Sequence, residues 1–154
     1  SRKEAADYID LYYSRYPQVA VWHKVLLEQA RKDGYVSTIF GRRRYLPDLN
    51  NRNFNLRSFA ERMAMNAPIQ GSAADIIKIA MVRLAALLKE KKMDSRMLLQ
   101  VHDELIFDMA PEERDVLPAL VKGQMEGAVE LSVPLTVDVK LGHNWYAMEK
   151  MKLE

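Results

Sequence analysis

The sequence contains no cysteine, which excludes a disulfide framework, thiolate zinc sites and a cysteine nucleophile. Histidine is scarce too. His23, His102 and His143 are scattered, with no H-x-x-H or H-x-x-x-H pair to suggest zinc. No apolar run approaches the roughly 18 residues of a membrane-spanning helix, so no membrane partner is expected. The chain opens with Ser1-Arg2-Lys3-Glu4 and passes straight into helical pattern, without the layout of a secretory signal. A cytoplasmic location fits these absences. Repeats, low-complexity tracts and a second-domain linker are also missing. No Met precedes Ser1, which suggests processing or excision from a longer chain.

What is present has the proportions of one soluble globular domain: 154 residues, 49% hydrophobic and 29% charged. The net charge of +2 conceals a segregation. Between Gly41 and Arg62 stand six arginines (42, 43, 44, 52, 57 and 62) against Asp48 and Glu61. Between Asp103 and Glu130 stand eight acids against Arg114 and Lys122. A protein that handles phosphates in one region and metal ions in another would need this distribution, although an uneven solvated surface would show it as well.

Periodicity predicts the order ααββαββαβ, hence an α+β fold with an antiparallel sheet backed by long helices. Lys3 to Arg15 reads as a helix, with Ala6, Ile9, Tyr13 and Tyr16 at helical spacing and a Ser1-x-x-Glu4 capping box. Pro17 opens a second helix to about Asp33, with Val21, Val25, Leu26 and Ala30 on one face and Gly34 as its C-cap. Tyr35 to Phe40 and Arg44 to Leu46 form a hairpin with arginines at its tip. From about Leu56 to Lys92 an apolar stripe (Ala73, Ile76, Ile77, Ala80, Met81, Leu84, Leu87, Leu88) predicts a helix some 55 Å long at ~1.5 Å per residue. Pro68 and Gly71 predict a kink or a break in it. Met97–Val101 and Glu104–Asp108 form a tight hairpin around His102-Asp103. Pro111 to about Leu131 reads as a helix, and Val133 to Leu141 as a last strand. Tyr12, Tyr13, Trp22 and the Met residues at 63, 65 and 81 are expected in the core.

Three constellations can carry chemistry. His102-Asp103-Glu104 places adjacent carboxylates at a turn, where like charges repel unless a hard cation such as Mg²⁺ takes their oxygens. A solvent-exposed polar turn is the plainer reading. Arg62, Asn66 and Gln70 are spaced by four, so a cation and two amides share a helix face. They could reach phosphates and base edges, or simply be the polar side of an amphipathic helix. Arg42-Arg43-Arg44 beside Tyr45 could clamp a nucleic-acid backbone, or be a solvated tip.

The same residues resemble family A (polymerase I-like) DNA polymerases. Gln100-Val101-His102-Asp103-Glu104-Leu105 resembles that family's motif C. Arg62 to Asp75, RMAMNAPIQGSAAD, resembles its long palm helix and the junction leading into it. Gly34–Thr38 with Gly41–Arg44, and Gly142-His143-Asn144-Trp145, match in order and spacing. The resemblance covers practically the whole chain. It implies the C-terminal palm with the end of the fingers, as one segment over residues 1–154. The activity it implies is template-directed transfer of dNTPs onto primer-template DNA by two Mg²⁺ ions, in replication or repair. It further implies that Asp103 is one of two aspartates holding the metals and Glu104 an auxiliary carboxylate. His102 would contact the primer terminus, and Arg62, Asn66 and Gln70 would track the minor-groove side of the primer end. The motif A aspartate, the nucleotide-binding fingers helix, the thumb and the exonuclease domain have no counterpart here. The remainder of a polymerase chain is therefore an expected partner, and the chain alone is expected to be inactive. A stand-alone primer-template binding module without catalysis, or an inert, self-associating fragment, would be the alternatives. Salt-dependent DNA binding without Mg²⁺ dependence would favour the first, and concentration-dependent sedimentation the second.

Overall fold

A computed structural model of the chain describes residues 1–153, and Glu154, the end of the expected segment, lies outside them. The fold is α+β, with four α-helices and three two-stranded antiparallel ladders among the described residues. It divides into two compact units, Ser1–Ser72 and Ala73–Glu154. No described helix is long and apolar enough to cross a membrane.

The first unit begins with α1 (Arg2–Arg15), whose capping box forms as the sequence predicts. Ser1 Oγ accepts from the Glu4 N–H at 3.2 Å, and the Glu4 carboxylate takes the Ser1 amino group. In α2 (Pro17–Asp33) the proline stands at N1, and Gly34 ends the helix at φ 77°, donating its N–H to the Ala30 carbonyl at 2.8 Å. That left-handed φ is costly for residues with a Cβ, and it turns the chain directly into β1 (Tyr35–Ser37). β1 pairs with β2 (Arg43–Tyr45). A 3₁₀ turn, Pro47–Asn50, follows. Asn53 then leads into α3 (Phe54–Glu90), its side-chain oxygen accepting the Asn55 N–H at 2.9 Å. Ala30, Val36, Leu46, Leu49, Ala60 and Ala64 form this unit's core, and the Arg31–Glu61 ion pair (2.7 Å) joins α2 to α3 beside it.

Several expectations are corrected here. Val21 and Val25 are more than half exposed, because α2 turns Leu26, Leu27 and Ala30 to the core instead. Ile9 of α1 and Tyr16, the residue after it, are likewise exposed. Tyr12 and Trp22 are not core residues. Their rings pack on neighbouring aromatics, Tyr12 on Tyr16 at 5.2 Å and Trp22 on His23 at 5.2 Å, with much of their surface open. Tyr13 and the Met residues at 63, 65 and 81 are half-buried, and Met63 packs against the core. Pro68 does not break α3, which runs as one helix of 37 residues. A proline's φ is compatible with a helix; what it removes is the N–H that would have bonded the Ala64 carbonyl.

The second unit is built on the later part of α3, where the predicted stripe buries Ile77, Ala80, Leu84 and Leu88. β3 (Arg96–Val101) and β4 (Glu104–Asp108) form a hairpin with a bulge between Met97 and Leu99. Leu84 and Leu88 pack with Leu117 and Val121 of α4 (Leu117–Glu126) and with Leu105 and Phe107 of β4. The expected helix over 111–131 is shorter. Pro111–Glu113 is a 3₁₀ turn, and Glu113 does not open a helix but accepts the Asp94 and Ser95 N–H groups at 2.8 and 3.1 Å. The expected strand over 133–141 shrinks to β5 (Val139–Gly142), paired with β6 (Met148–Met151), a strand the periodicity did not reveal. Upstream, Pro134 can donate no ladder bond, and side chains hold Val137: Glu126 Oε1 accepts its N–H at 2.8 Å and Lys122 Nζ donates to its carbonyl at 3.1 Å.

Candidate nucleic-acid interface and acidic turn

The hairpin arginines separate by strand alternation. Gly41, at φ 81°, closes the loop with its N–H on the Thr38 carbonyl (2.9 Å), so Arg42 alone occupies the tip. Arg43 and Arg44 lie within β2, opposite Ser37 and Val36, which corrects the expectation of three arginines at the tip. Arg43 stacks on the Tyr35 ring, 4.4 Å from its centroid, and its pKa is raised, first by the Tyr45 hydroxyl and then by Tyr35. Arg44 emerges on the other face of the strand, the side of Val36, and there meets α3.

A groove of about 270 Å³ is lined by Arg44, Phe59, Arg62, Met63, Asn66, Ala67 and Gln70. The predicted stripe Arg62-Asn66-Gln70 is therefore one wall, and one of the three hairpin arginines is placed with it. All four polar side chains are exposed. Arg62 is held from below, Nη1 donating to Ser58 Oγ at 2.9 Å. A smaller depression of about 70 Å³ adjoins it, sharing Arg44 and Gln70 and adding Arg42 and Gly71. There the hairpin comes very close to α3. Arg42 Nη2 donates to the Gly71 carbonyl at 3.0 Å, and a Cβ on Gly71 would stand 2.7 Å from Thr38 Cγ2. Ser72 Oγ accepts the Ile39 N–H at 3.0 Å and donates to the Pro68 carbonyl, so the residues around the proline also anchor the hairpin loop. Spacing alone did not join the hairpin to the stripe, since their contact spans about 26 residues of chain; Phe59 was missed although it stands three residues before Arg62, on the same face.

The acidic turn belongs to the second unit. Val101 pairs with Glu104, leaving His102 and Asp103 as a two-residue loop. His102 has φ 53°, while Asp103 is not among the residues with positive φ. Hairpin loops of this length favour glycine or asparagine at such a position, so a histidine there stores strain at the site where chemistry is expected. Gln100 Nε2 donates to the His102 carbonyl at 2.5 Å and braces the loop. His102, Asp103 and Glu104 are all exposed, and neither carboxylate enters an ion pair among the described residues.

The donor set fits Mg²⁺ as a contributor. Two carboxylates offer hard oxygens, and Mg²⁺ is commonly held by one or two carboxylates with waters and substrate phosphates completing the shell. Among the described residues no group of three or more His, Asp or Glu side chains converges to hold a metal by itself.

The family model for DNA polymerase family A matches residues 1–147. The chain belongs to that family. It is 56% identical over 146 residues to DNA polymerase I of Bacillus caldotenax, covering 95% of this chain and 17% of that protein. To DNA polymerase I of Bacillus subtilis it is 54% identical, with the same shares covered. Among solved structures, the POL domain of Pol1 from M. smegmatis, in complex with DNA primer-template and dNTP, superposes with a TM-score of 0.84 at 49% identity. That match covers 88% of this chain and 24% of the other. The chain thus spans about a sixth of the length of the curated relatives it matches.

Proposed function

We propose that this chain is the C-terminal palm segment of a DNA-directed DNA polymerase, binding the primer-template end and supplying part of the metal site for nucleotidyl transfer. The observation that carries the reading is the groove in which Arg44 joins Arg62, Asn66 and Gln70. A groove lined by two cations and two amide donors suits duplex DNA. Arginines hold phosphates, while amides meet the purine N3 and pyrimidine O2 acceptors that every correct pair shows in the minor groove. Such a surface examines pairing geometry without reading sequence. Its chemistry accords with a solved relative described in complex with primer-template and dNTP.

Family A polymerases are metal-dependent enzymes, and Asp103 with Glu104 would hold Mg²⁺ here. When bound, the metal supplies charge stabilisation on the attacking and leaving oxygens of an in-line displacement. The chain's own residues position and neutralise. Asp103 lies in a two-residue loop, Glu104 follows it on β4, and His102, exposed beside them, would contact the primer terminus. The second aspartate, the nucleotide-binding helix and the thumb belong to the remainder of the polymerase chain. Exposed Tyr8 and Tyr12 on α1, Tyr16 between the helices and Trp22 on α2 provide apolar surface for that remainder to cover.

The test is Asp103→Ala in a complete polymerase carrying this segment, followed by single-turnover dNTP incorporation. The rate falls by about a hundred- to a thousandfold, the scale of removing one electrostatic stabiliser of a transition state. DNA affinity stays within about twofold, because the phosphate contacts lie elsewhere. Turnover near the parent rate would remove Asp103 from the metal site.

A further inference from the structure

Phe59 sits at the N-terminal end of the groove stripe, 56% exposed, with the Arg62 guanidinium 5.8 Å from its ring centroid. The ring adds a large exposed apolar surface beside the polar stripe, in a lining that also includes Met63 and Ala67. Arg62 is tethered next to it by Ser58. From Phe59 to Gln70 the helix advances ~16 Å, the length of about five base-pair steps at ~3.4 Å each. Asn66 and Gln70 occupy the far end of that span, and Phe59 lies ~10 Å before Asn66, about three steps away. At that position in a duplex the bases are stacked on one another and show only their edges, while the apolar part of the minor-groove wall is deoxyribose.

We propose that Phe59 is a sugar-contacting residue, its ring packed against the deoxyribose face of the duplex beside the phosphate held by Arg62. The proposal rests on the reading of the groove as the DNA site. It assigns to one side chain a non-ionic share of the affinity, distinct from the charge-based share of its neighbour. Counterion release makes the two separable. A phosphate contact contributes a slope of about −0.9 to log affinity against log salt, and an apolar sugar contact contributes none.

The experiment is fluorescence anisotropy of the 154-residue chain with a labelled primer-template duplex, and with the unpaired primer strand, over a series of salt concentrations. Phe59→Ala weakens duplex binding about tenfold at every salt, with a slope parallel to the parent's. Phe59→Leu recovers most of the loss. Phe59→Gln, which preserves helix propensity, repeats it and stands in if the alanine variant loses its circular dichroism spectrum. Arg62→Ala weakens binding and lowers the slope by about one. A slope change in Phe59→Ala as large as that of Arg62→Ala would mean the ring only props the guanidinium, and a larger loss on the single strand would assign the ring to an unpaired base; either overturns the proposal. Unchanged binding in Phe59→Ala with a response in Arg62→Ala overturns the ring alone. No binding by the parent, or no response in Arg62→Ala, overturns the groove reading and this proposal with it.

Discussion

His102 adopts φ 53° in a two-residue loop where a glycine would sit without strain. Histidine tolerates the left-handed region better than most residues, but still at a cost of order 1 kcal/mol. A residue selected for loop stability alone would be different. His102→Gly should therefore leave the chain at least as stable in chemical denaturation, whereas His102→Val should lose more than about 1 kcal/mol, since a β-branched side chain is poorly accommodated there. In a complete enzyme the same His102→Gly should impair primer extension; that combination would separate the residue's role from its fit. Gln70 faces both depressions beside Arg44, at the junction of hairpin and helix. Gln70→Ala should weaken discrimination against a mismatched primer end by about 1 to 3 kcal/mol, measured as the ratio of extension rates from matched and mismatched termini. Equal loss on both termini would show a phosphate contact instead.

At the scale of elements, legibility followed the strength of periodic signals. The α3 stripe repeats over several turns, and Ile77, Ala80, Leu84 and Leu88 are buried as its spacing requires. The turn His102-Asp103 was readable because two apolar runs flank it. The failures between Pro111 and Val137 share one cause: side chains that bond to backbone groups and substitute for regular structure. Glu113 resembles a residue of a helix's first turn, yet it caps the Asp94 and Ser95 N–H groups, while Ser95 Oγ accepts the Ala110 N–H at 2.9 Å. No periodicity encodes such a clasp. Ser95's side chain first, and the backbone donors after it, hold the Glu113 carboxyl below its usual pKa. A depressed carboxyl stabilises the fold above its unfolded value, about 4.3, and that contribution disappears as pH falls through the folded value. Glu113→Gln should accordingly flatten the loss of thermal stability as the chain is acidified below about pH 4.3. An unchanged acid limb would show that the clasp adds nothing.

The described residues include an exposed acidic turn in one unit and, in the other, the groove proposed to take DNA. If the second metal-binding aspartate must come from elsewhere, the 154 residues purified alone should give no templated incorporation above background in a primer-extension assay with Mg²⁺. Incorporation above background would show that the chain completes its own site. The two-unit division also gives the charge pattern a physical meaning. Ser1–Ser72 carries twelve basic against seven acidic residues, and Ala73–Glu154 eleven against fourteen. A molecule of nearly balanced total charge is thus an electrical couple whose poles lie in separately packed bodies. On the proposed function, polyanions would be drawn to the first unit and divalent cations to the second. The near-neutral total keeps weak, unsorted attraction to either kind of ion low.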